Sequence, residues 1–287
     1  MWQIALKAPH GVRMISVSEN GESSTQGWEC GDGHDDVNVW VQEIFDVISN
    51  GWEQWIIYND EVPGESVSSS FGHCKGVLSW NANKIGWLIH SCPNWPAQFC
   101  PIPAIPSSAC VYGQSFIYLE FPITMITSIL EHLNIMHVHV SNASPNAGNL
   151  IKEGKEEHIE VDVKFNILQF NDVLWHVAKS KAWNKDLFDD GFAHIFGGGE
   201  LVETWMRPKS ADTDNVDNLE EVRWPNGITY TETHDHSKYA FSLTDTKPWV
   251  YVGDINHMRS QAHRGGGGII IIDENLWKAF YSLVFKM

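Results

Sequence analysis

His73-Cys74-Lys75 and His236-Ser237-Lys238 place an imidazole and an ammonium at positions i and i+2, once in each half of the chain. Each pair is followed by a tryptophan and an asparagine: Trp87 and Asn94 in the first copy, Trp249 and Asn256 in the second. The Lys-to-Trp interval is 12 residues in the first copy and 11 in the second; the Trp-to-Asn interval is seven in both. On a strand, residues i and i+2 share a face, so each His and Lys would project together. An Asn from a neighbouring strand could join them. One copy alone fits an ordinary polar strand end, whereas two copies with matched offsets point to function. Face to face, the two sets would make a metal-free site for one phosphate.

Cleaving a phosphodiester without metal needs four roles. A neutral imidazole attacks phosphorus, and an imidazolium protonates the leaving oxygen. Fixed cations neutralise the non-bridging oxygens, and neutral donors orient them. His73 and His236 suit the first two roles, Lys75 and Lys238 the third, Asn94 and Asn256 the fourth. Neither a metal nor a cofactor is called for.

The elements that must carry these groups read as follows. Val37, Val41, Ile44 and Ile48 share one helical face behind Asp35 and Asp36. WEQWIIYND is a strand, and GVLSW and WLIHS are adjacent strands joined at Asn81-Ala82-Asn83-Lys84. SFIYLEF is a further strand, and Ile123, Ile126, Leu130 and Leu133 describe an amphipathic helix after Pro122. The polar stretch from Ser141 to Glu157 is the expected boundary, giving halves 1–145 and 146–287. In the second half, VDVKFNI predicts a strand, FNDVLWHVAKSKAW and LFDDGF helices, and LVETWM a strand. Arg207 to Gly227 reads as a polar surface loop. YAFSL, WVYVGD and GIIIID are strands, and ENLWKAFYSLVF is a helix capped by Asp273. The expected class is α/β or α+β, with two similar halves.

With 43% hydrophobic and 19% charged residues, the 287-residue chain reads as soluble and globular. No apolar stretch is long enough to span a bilayer, so no membrane partner is expected. A net charge of −17 disfavours approach to a polyanion at neutral pH. Charging all 14 histidines would leave −3, so acid would relieve the repulsion. Five cysteines without a CxxC pair give little support to zinc or redox motifs, and leave one or two disulfides open.

The chain resembles the deoxyribonuclease II family, within the phospholipase D-like superfamily. The matching stretches are YND at Tyr58–Asp60, GHCKGV at Gly72–Val77, WLIHSCPNWP at Trp87–Pro96 and ACVYGQS at Ala109–Ser115. DHSKY at Asp235–Tyr239, GDIN at Gly253–Asn256, RGGG at Arg264–Gly267 and LWKAF at Leu276–Phe280 continue the series in order. The resemblance implies a phospholipase D-like pseudo-dimer, each half a mixed sheet flanked by helices, around a single site. It implies a DNA endonuclease that works without divalent metal, best in acid, leaving 3′-phosphate and 5′-hydroxyl ends through a phosphohistidine. His73, Lys75, His236 and Lys238 carry over as catalytic residues, and Asn94 and Asn256 as substrate-binding ones. Two departures stand out. Animal members have cysteines near Tyr251 and Ile270, and neither is present here, which weakens the case for an oxidising compartment. The acidic residue that usually follows the Lys is also missing at its spacing, so another acceptor must orient the histidine.

The location expected from the resemblance is lysosomal or secreted if a leader is removed, with the cytoplasm as the alternative. The oligomeric state stays open, a homodimer included. Rival readings are a phosphodiesterase for another ester and an inactive DNA-binding relative. His132, His137, His139 and His234 read better as polar helix and strand positions than as metal ligands. Gly265 to Gly268 lack a phosphate-loop signature and read as close packing. His90 is read equally as a substrate contact and as a core histidine.

Overall fold

The structure, a computed structural model, describes residues 1–19, 28–29, 36–49, 51–65, 69–151, 164–205 and 212–284. The first sheet contains β1 (Trp2–Lys7), β2 (Met14–Ser18), β3 (Gln54–Asn59), β4 (Lys75–Trp80), β5 (Lys84–His90), β6 (Gln114–Pro122) and β7 (Val140–Ala143). The second contains β8 (Phe165–Gln169), β9 (Leu174–Lys179), β10 (Glu200–Glu203), β11 (Val216–Asn218), β14 (Tyr239–Ser242), β15 (Trp249–Gly253) and β16 (Gly266–Ile272). A small hairpin, β12 (Glu221–Arg223) with β13 (Thr229–Thr231), stands beside it. Segregated sheets and helices make the class α+β.

Strand order is β2-β1-β6-β5-β4-β3-β7 in the first sheet and, from the β8 end, β8-β9-β16-β15-β14-β10-β11 in the second. Each strand therefore has a counterpart at the same place in the other sheet. Neighbours run antiparallel throughout the first sheet; the second differs only at its edge, where β10 and β11 are parallel. The correspondence holds residue by residue around the motifs. Gly76, after Lys75, faces Ile89, and Tyr239, after Lys238, faces Val252.

The central strands are buried on both faces, so they read as apolar runs rather than alternating ones. All six residues of β4 are buried. Among the described residues, five α-helices cover the sheets: α1 (Val37–Ser49), α2 (Ser107–Cys110), α3 (Ile126–Met136), α4 (Ala193–Phe196) and α5 (Glu274–Ser282). In α1, Val37, Val41, Ile44 and Ile48 are buried, and Asp36 accepts from the Asn38 backbone N–H at 2.8 Å. Asp273 caps α5 by accepting from the Leu276 N–H at 2.7 Å. The larger core cluster runs through both halves. Trp28 binds the Ala279 carbonyl at 2.7 Å, and His132 of α3 meets His176 of β9 at 2.6 Å between Nδ1 atoms. A second cluster, around Phe188, Phe192, Trp249 and Tyr251, lies wholly in the second half under the π-helical turn Leu187–Phe192.

Several expectations need correction. The apolar run around VLWHVA is not a helix; it is β9, held between β8 and β16. Inside the expected loop from Arg207 to Gly227, β11 and β12 form, and Val216, Leu219, Val222 and Trp224 are buried. On α3 the buried residues are Ile129, His132, Leu133, Ile135 and Met136, while Ile123, Ile126 and Leu130 of the expected stripe are partly buried and packed against the core. Cys74, Cys92, Cys100 and Cys110 are free thiols. Asp35, Cys30 and residues 152–157 of the expected boundary lie outside the described residues.

Candidate active site

Both motifs sit where a strand of one half meets the other half. The His73 N–H donates to the Gly265 carbonyl at 2.9 Å, and the His236 N–H donates to the Gly113 carbonyl at 2.9 Å. Gly113 lies just before β6 and Gly265 just before β16, counterparts in the two sheets. Neither place has room for a side chain. A Cβ on Gly113 would lie 2.2 Å from Asp235 Oδ1, and one on Gly265 would lie 2.0 Å from the Met136 carbonyl. The glycine run thus serves close packing of the two halves.

A cleft of about 200 Å³ opens at this junction, and His73, Lys75, His236, Lys238 and Asn256 all line it. Ser91, Trp205, Gln261 and Arg264 are among its other walls. A slightly larger hollow, about 260 Å³, lined by Gln3, Glu29, Trp40 and Glu43, carries no comparable set of cations and imidazoles. Of the six expected site residues, Asn94 alone is not in the cleft lining. It is exposed in a turn with φ 55°, and its backbone N–H binds the Glu61 carbonyl. His90 is buried against Trp95 and Phe116, a core histidine.

The acceptor that orients His73 is Asp60, one residue past β3. Its Oδ2 is 2.9 Å from His73 Nδ1, and its Oδ1 accepts from Lys75 Nζ at 2.7 Å. Arg264, from the second half, donates to Asp60 Oδ2 at 2.8 Å and to the Phe71 carbonyl. Burial alone would raise the Asp60 pKa, but Lys75, His73 and Arg264 hold it well below the usual range. The Arg264 guanidinium is also 3.3 Å from His73 Nδ1, but an ionised carboxylate at 2.9 Å is the better partner for that nitrogen. The Nδ1 proton is thereby assigned toward Asp60, which leaves the Nε2 lone pair facing the cleft. The Asn256 amide nitrogen is 3.5 Å from Nε2, a long contact in the direction this tautomer requires.

His236 is held differently. Tyr112 stacks on it with ring centroids 4.2 Å apart, and Trp205 lies against it at 4.8 Å. By ladder register Trp205 occupies the place that Asp60 holds in the first sheet, since Glu203 pairs Tyr239 while Asn59 pairs Lys75. His73 thus has a carboxylate behind it, and His236 has aromatic rings against it.

Burial and the neighbouring Lys75 depress the His73 pKa to about 4, against the pull of Asp60. Burial opposes the charge on Lys75, yet Asp60 and Glu61 outweigh it and raise its pKa. Burial and Lys75 lower Lys238 to about 8. Lys238 Nζ donates to the carbonyl of His236 at 2.6 Å.

Among the described residues, two groups could offer three metal-ligand atoms each: Asp60, Glu61 and His73, and Asp186, Asp189 and His257. In the first, the Lys75 ammonium and the Arg264 guanidinium already neutralise Asp60, so an ion would have to displace them. His137 and His139 pack on Phe71, and His132 pairs with His176.

The tryptophans of the repeat are not counterparts. Trp87 donates to the Tyr58 hydroxyl and lies 4.8 Å from His176 of the other half. Trp249 stacks on Phe196 at 4.6 Å, on the outer face of its sheet. A one-residue difference in spacing puts them on opposite faces. Asp60, Arg264, Tyr112 and Trp205 were missed as site residues because each comes from a different stretch of chain. Asp60, Arg264 and Tyr112 do lie in the matched stretches YND, RGGG and ACVYGQS.

Two sheets of like order meeting over a cationic cleft define a two-lobed α+β hydrolase. Comparison with known proteins gives the family. The deoxyribonuclease II family model matches residues 2–287, and the chain belongs to that family, among DNA-cleaving hydrolases. Cell-death-related nuclease 7 of Caenorhabditis elegans is 27% identical over 100% of this chain and 84% of its own length. A putative deoxyribonuclease-2 of Burkholderia thailandensis is 30% identical over 78% of this chain and 69% of its own. Deoxyribonuclease-2-alpha of Sus scrofa is 28% identical over 99% of this chain and 86% of its own. No helix among the described residues is long and apolar enough to cross a membrane. Tyr251 and Ile270 oppose each other across β15 and β16.

Proposed function

We propose that the chain is an acid endodeoxyribonuclease whose two halves act as a phospholipase D-like pseudo-dimer around one metal-free site. The observation that carries this reading is the Asp60–His73 bond, which turns a neutral Nε2 toward the cleft shared with His236, Lys75 and Lys238.

The His73 Nε2 lone pair attacks phosphorus, and the bond from phosphorus to the 5′ oxygen breaks. The leaving oxygen takes a proton from the His236 imidazolium. Asp60 stabilises the cationic phosphohistidine through Nδ1–H. His236, now neutral, removes a proton from water as that water attacks phosphorus. The N–P bond breaks, its electrons return to His73, and a 3′-phosphate leaves. Lys75 and Lys238 neutralise the phosphoryl oxygens as charge builds on them, and the Asn256 amide orients them. Asn94, exposed in its turn, is left without a role in this step.

The pH window follows from the groups. His73 stays neutral down to about 4, so the nucleophile survives in acid, and the rate declines below that value as it protonates. Lys238 keeps its charge below about 8 and loses it above. An imidazolium donor is ordinarily populated only below about 6.5. An acidic compartment, lysosomal or secreted, suits this window. The cleft is assembled within one chain, so the reading needs no second copy.

End-group analysis of DNA cleaved at acid pH in excess chelator tests the proposal. The expected products carry 3′-phosphate and 5′-hydroxyl ends. Products ending in 5′-phosphate, or activity lost in chelator and restored by a divalent ion, would overturn it.

A further inference from the structure

Lys7 and Lys179 are fully buried, yet neither reaches the cleft lining or bonds a carboxylate. Each ends a strand, and each is bound by backbone carbonyls alone. Lys7 Nζ donates to the carbonyls of Ala8 at 2.7 Å, Gly11 at 3.0 Å and Cys110 at 3.4 Å. Lys179 Nζ donates to those of Gln261 at 3.0 Å, Ala262 at 3.1 Å and Arg264 at 2.6 Å. The two are counterparts in the sheets. Lys7 pairs Gln114, next to Gly113, and Lys179 pairs Gly266, next to Gly265. Cys110 and Ala262 each precede their glycine by three residues.

Each gathered turn leads straight to a catalytic histidine of the other half. The turn held by Lys179 ends in Arg264, which binds Asp60 behind His73, and in Gly265, whose carbonyl takes the His73 N–H. The turn held by Lys7 leads to Tyr112, stacked on His236, and to Gly113, whose carbonyl takes the His236 N–H. Three carbonyls converging on one point repel one another unless a multiple donor sits between them. An ammonium supplies three donors and no acceptor.

We infer that Lys7 and Lys179 are positioning residues, each fixing through a backbone turn the orientation of the histidine in the opposite half. Burial lowers both pKa values to about 8, so both are charged in the acid range where the cleft is proposed to work. The inference extends the catalytic reading by assigning the cross-half support of each imidazole.

The test pairs Lys179→Met and Lys7→Met with NMR of ¹⁵N-labelled histidine rings, assigned with His73→Asn and His236→Asn. Lys179→Met should move the His73 ring signals and leave those of His236 in place; Lys7→Met should do the reverse. On DNA, kcat should fall by roughly 100-fold, as for a catalytic group displaced by about 1 Å, with KM nearly unchanged. If a Met variant does not fold, Gln, which keeps two N–H donors, is read for the same side-selective pattern. Shifts in both rings or neither, or a lower melting temperature with kcat unchanged, would overturn the inference. The ring shifts are independent of activity, so failure of the nuclease reading would show separately, as a wild-type protein that leaves DNA intact.

Discussion

The two motif histidines share a sequence pattern but not a setting. His73 has Asp60 behind it, and His236 lies between Tyr112 and Trp205. In the proposed mechanism His73 is the nucleophile, since its bond to Asp60 fixes the Nε2 lone pair toward the cleft. Asp60→Asn should therefore lower kcat by roughly 10²–10⁴-fold while the protein still folds, as when a general-base assembly loses its orienting group. Steady-state kinetics on the purified variant would show it; a rate near wild type would remove Asp60 from the mechanism. The two asparagines should part in the same assay. Asn256→Ala should be impaired, and Asn94→Ala should stay within about twofold of wild type, because Asn94 is exposed outside the cleft. The His and Lys pairs were legible in the sequence because i and i+2, in the segments that lead into β4 and β14, is a local relation. Asp60 was not, because it reaches His73 from the next strand, 13 residues earlier. The matched Trp-to-Asn spacing does not carry into the sheets, because one extra residue in the first copy shifts Trp87 and Asn94 out of register with the second.

Among the elements, those with a period and a cap were readable. α1 and α5 carry both, and each sits where its pattern put it. β9 was misread because a strand covered on both faces loses its alternation, so a short apolar run cannot be told from a helix. β11 and β12 were hidden in a polar stretch, where a few buried residues such as Val216 and Val222 decide the fold. The glycines before β6 and β16 are elements in their own right, since they let the halves touch. Gly113→Ala should destabilise the fold by about 1–3 kcal/mol, the usual cost of forcing an extra carbon into a packed interior. It should also slow cleavage, because Gly113 holds the backbone of His236. Thermal unfolding and kinetics on one preparation would check both; an unchanged midpoint would contradict the close approach.

For the whole molecule, buried carboxyl groups favour acid. Burial, with Asp189 and Asp186 nearby, pushes Glu200 up to about 8, and burial raises Asp254 to about 7. Burial and Asp235 hold Glu203 well above its ordinary value. In the unfolded chain these groups titrate near 4, so the native state holds more protons, and stability is lost as pH rises through the folded values. Histidines act the other way, but only below about 6.5, where His73 and His132, depressed to about 4, resist charging. Lys7, Lys179 and Lys238 contribute only above about 8. Among the described groups with a shifted pKa, the carboxyls alone act between about 6.5 and 8, so the melting temperature should decline across that interval, and Glu200→Gln should flatten the decline. Calorimetry showing a midpoint that climbs from pH 6.5 to 8 would contradict this. The two large sheets were legible in the alternating strands and helices, whereas the shared core was not, because contacts such as His132 with His176 join residues 44 apart with no common motif.

The central claim is that His73 is the nucleophile of one site built by both halves. Rapid mixing with DNA at acid pH, alkaline denaturation within the first turnover and mass spectrometry of the peptides would test it directly, since a phosphohistidine survives base. The account predicts a DNA strand joined through its 3′-phosphoryl group to the peptide carrying His73, and no such adduct on the peptide carrying His236. Label on His236, or no label with inverted configuration at phosphorus, would contradict it.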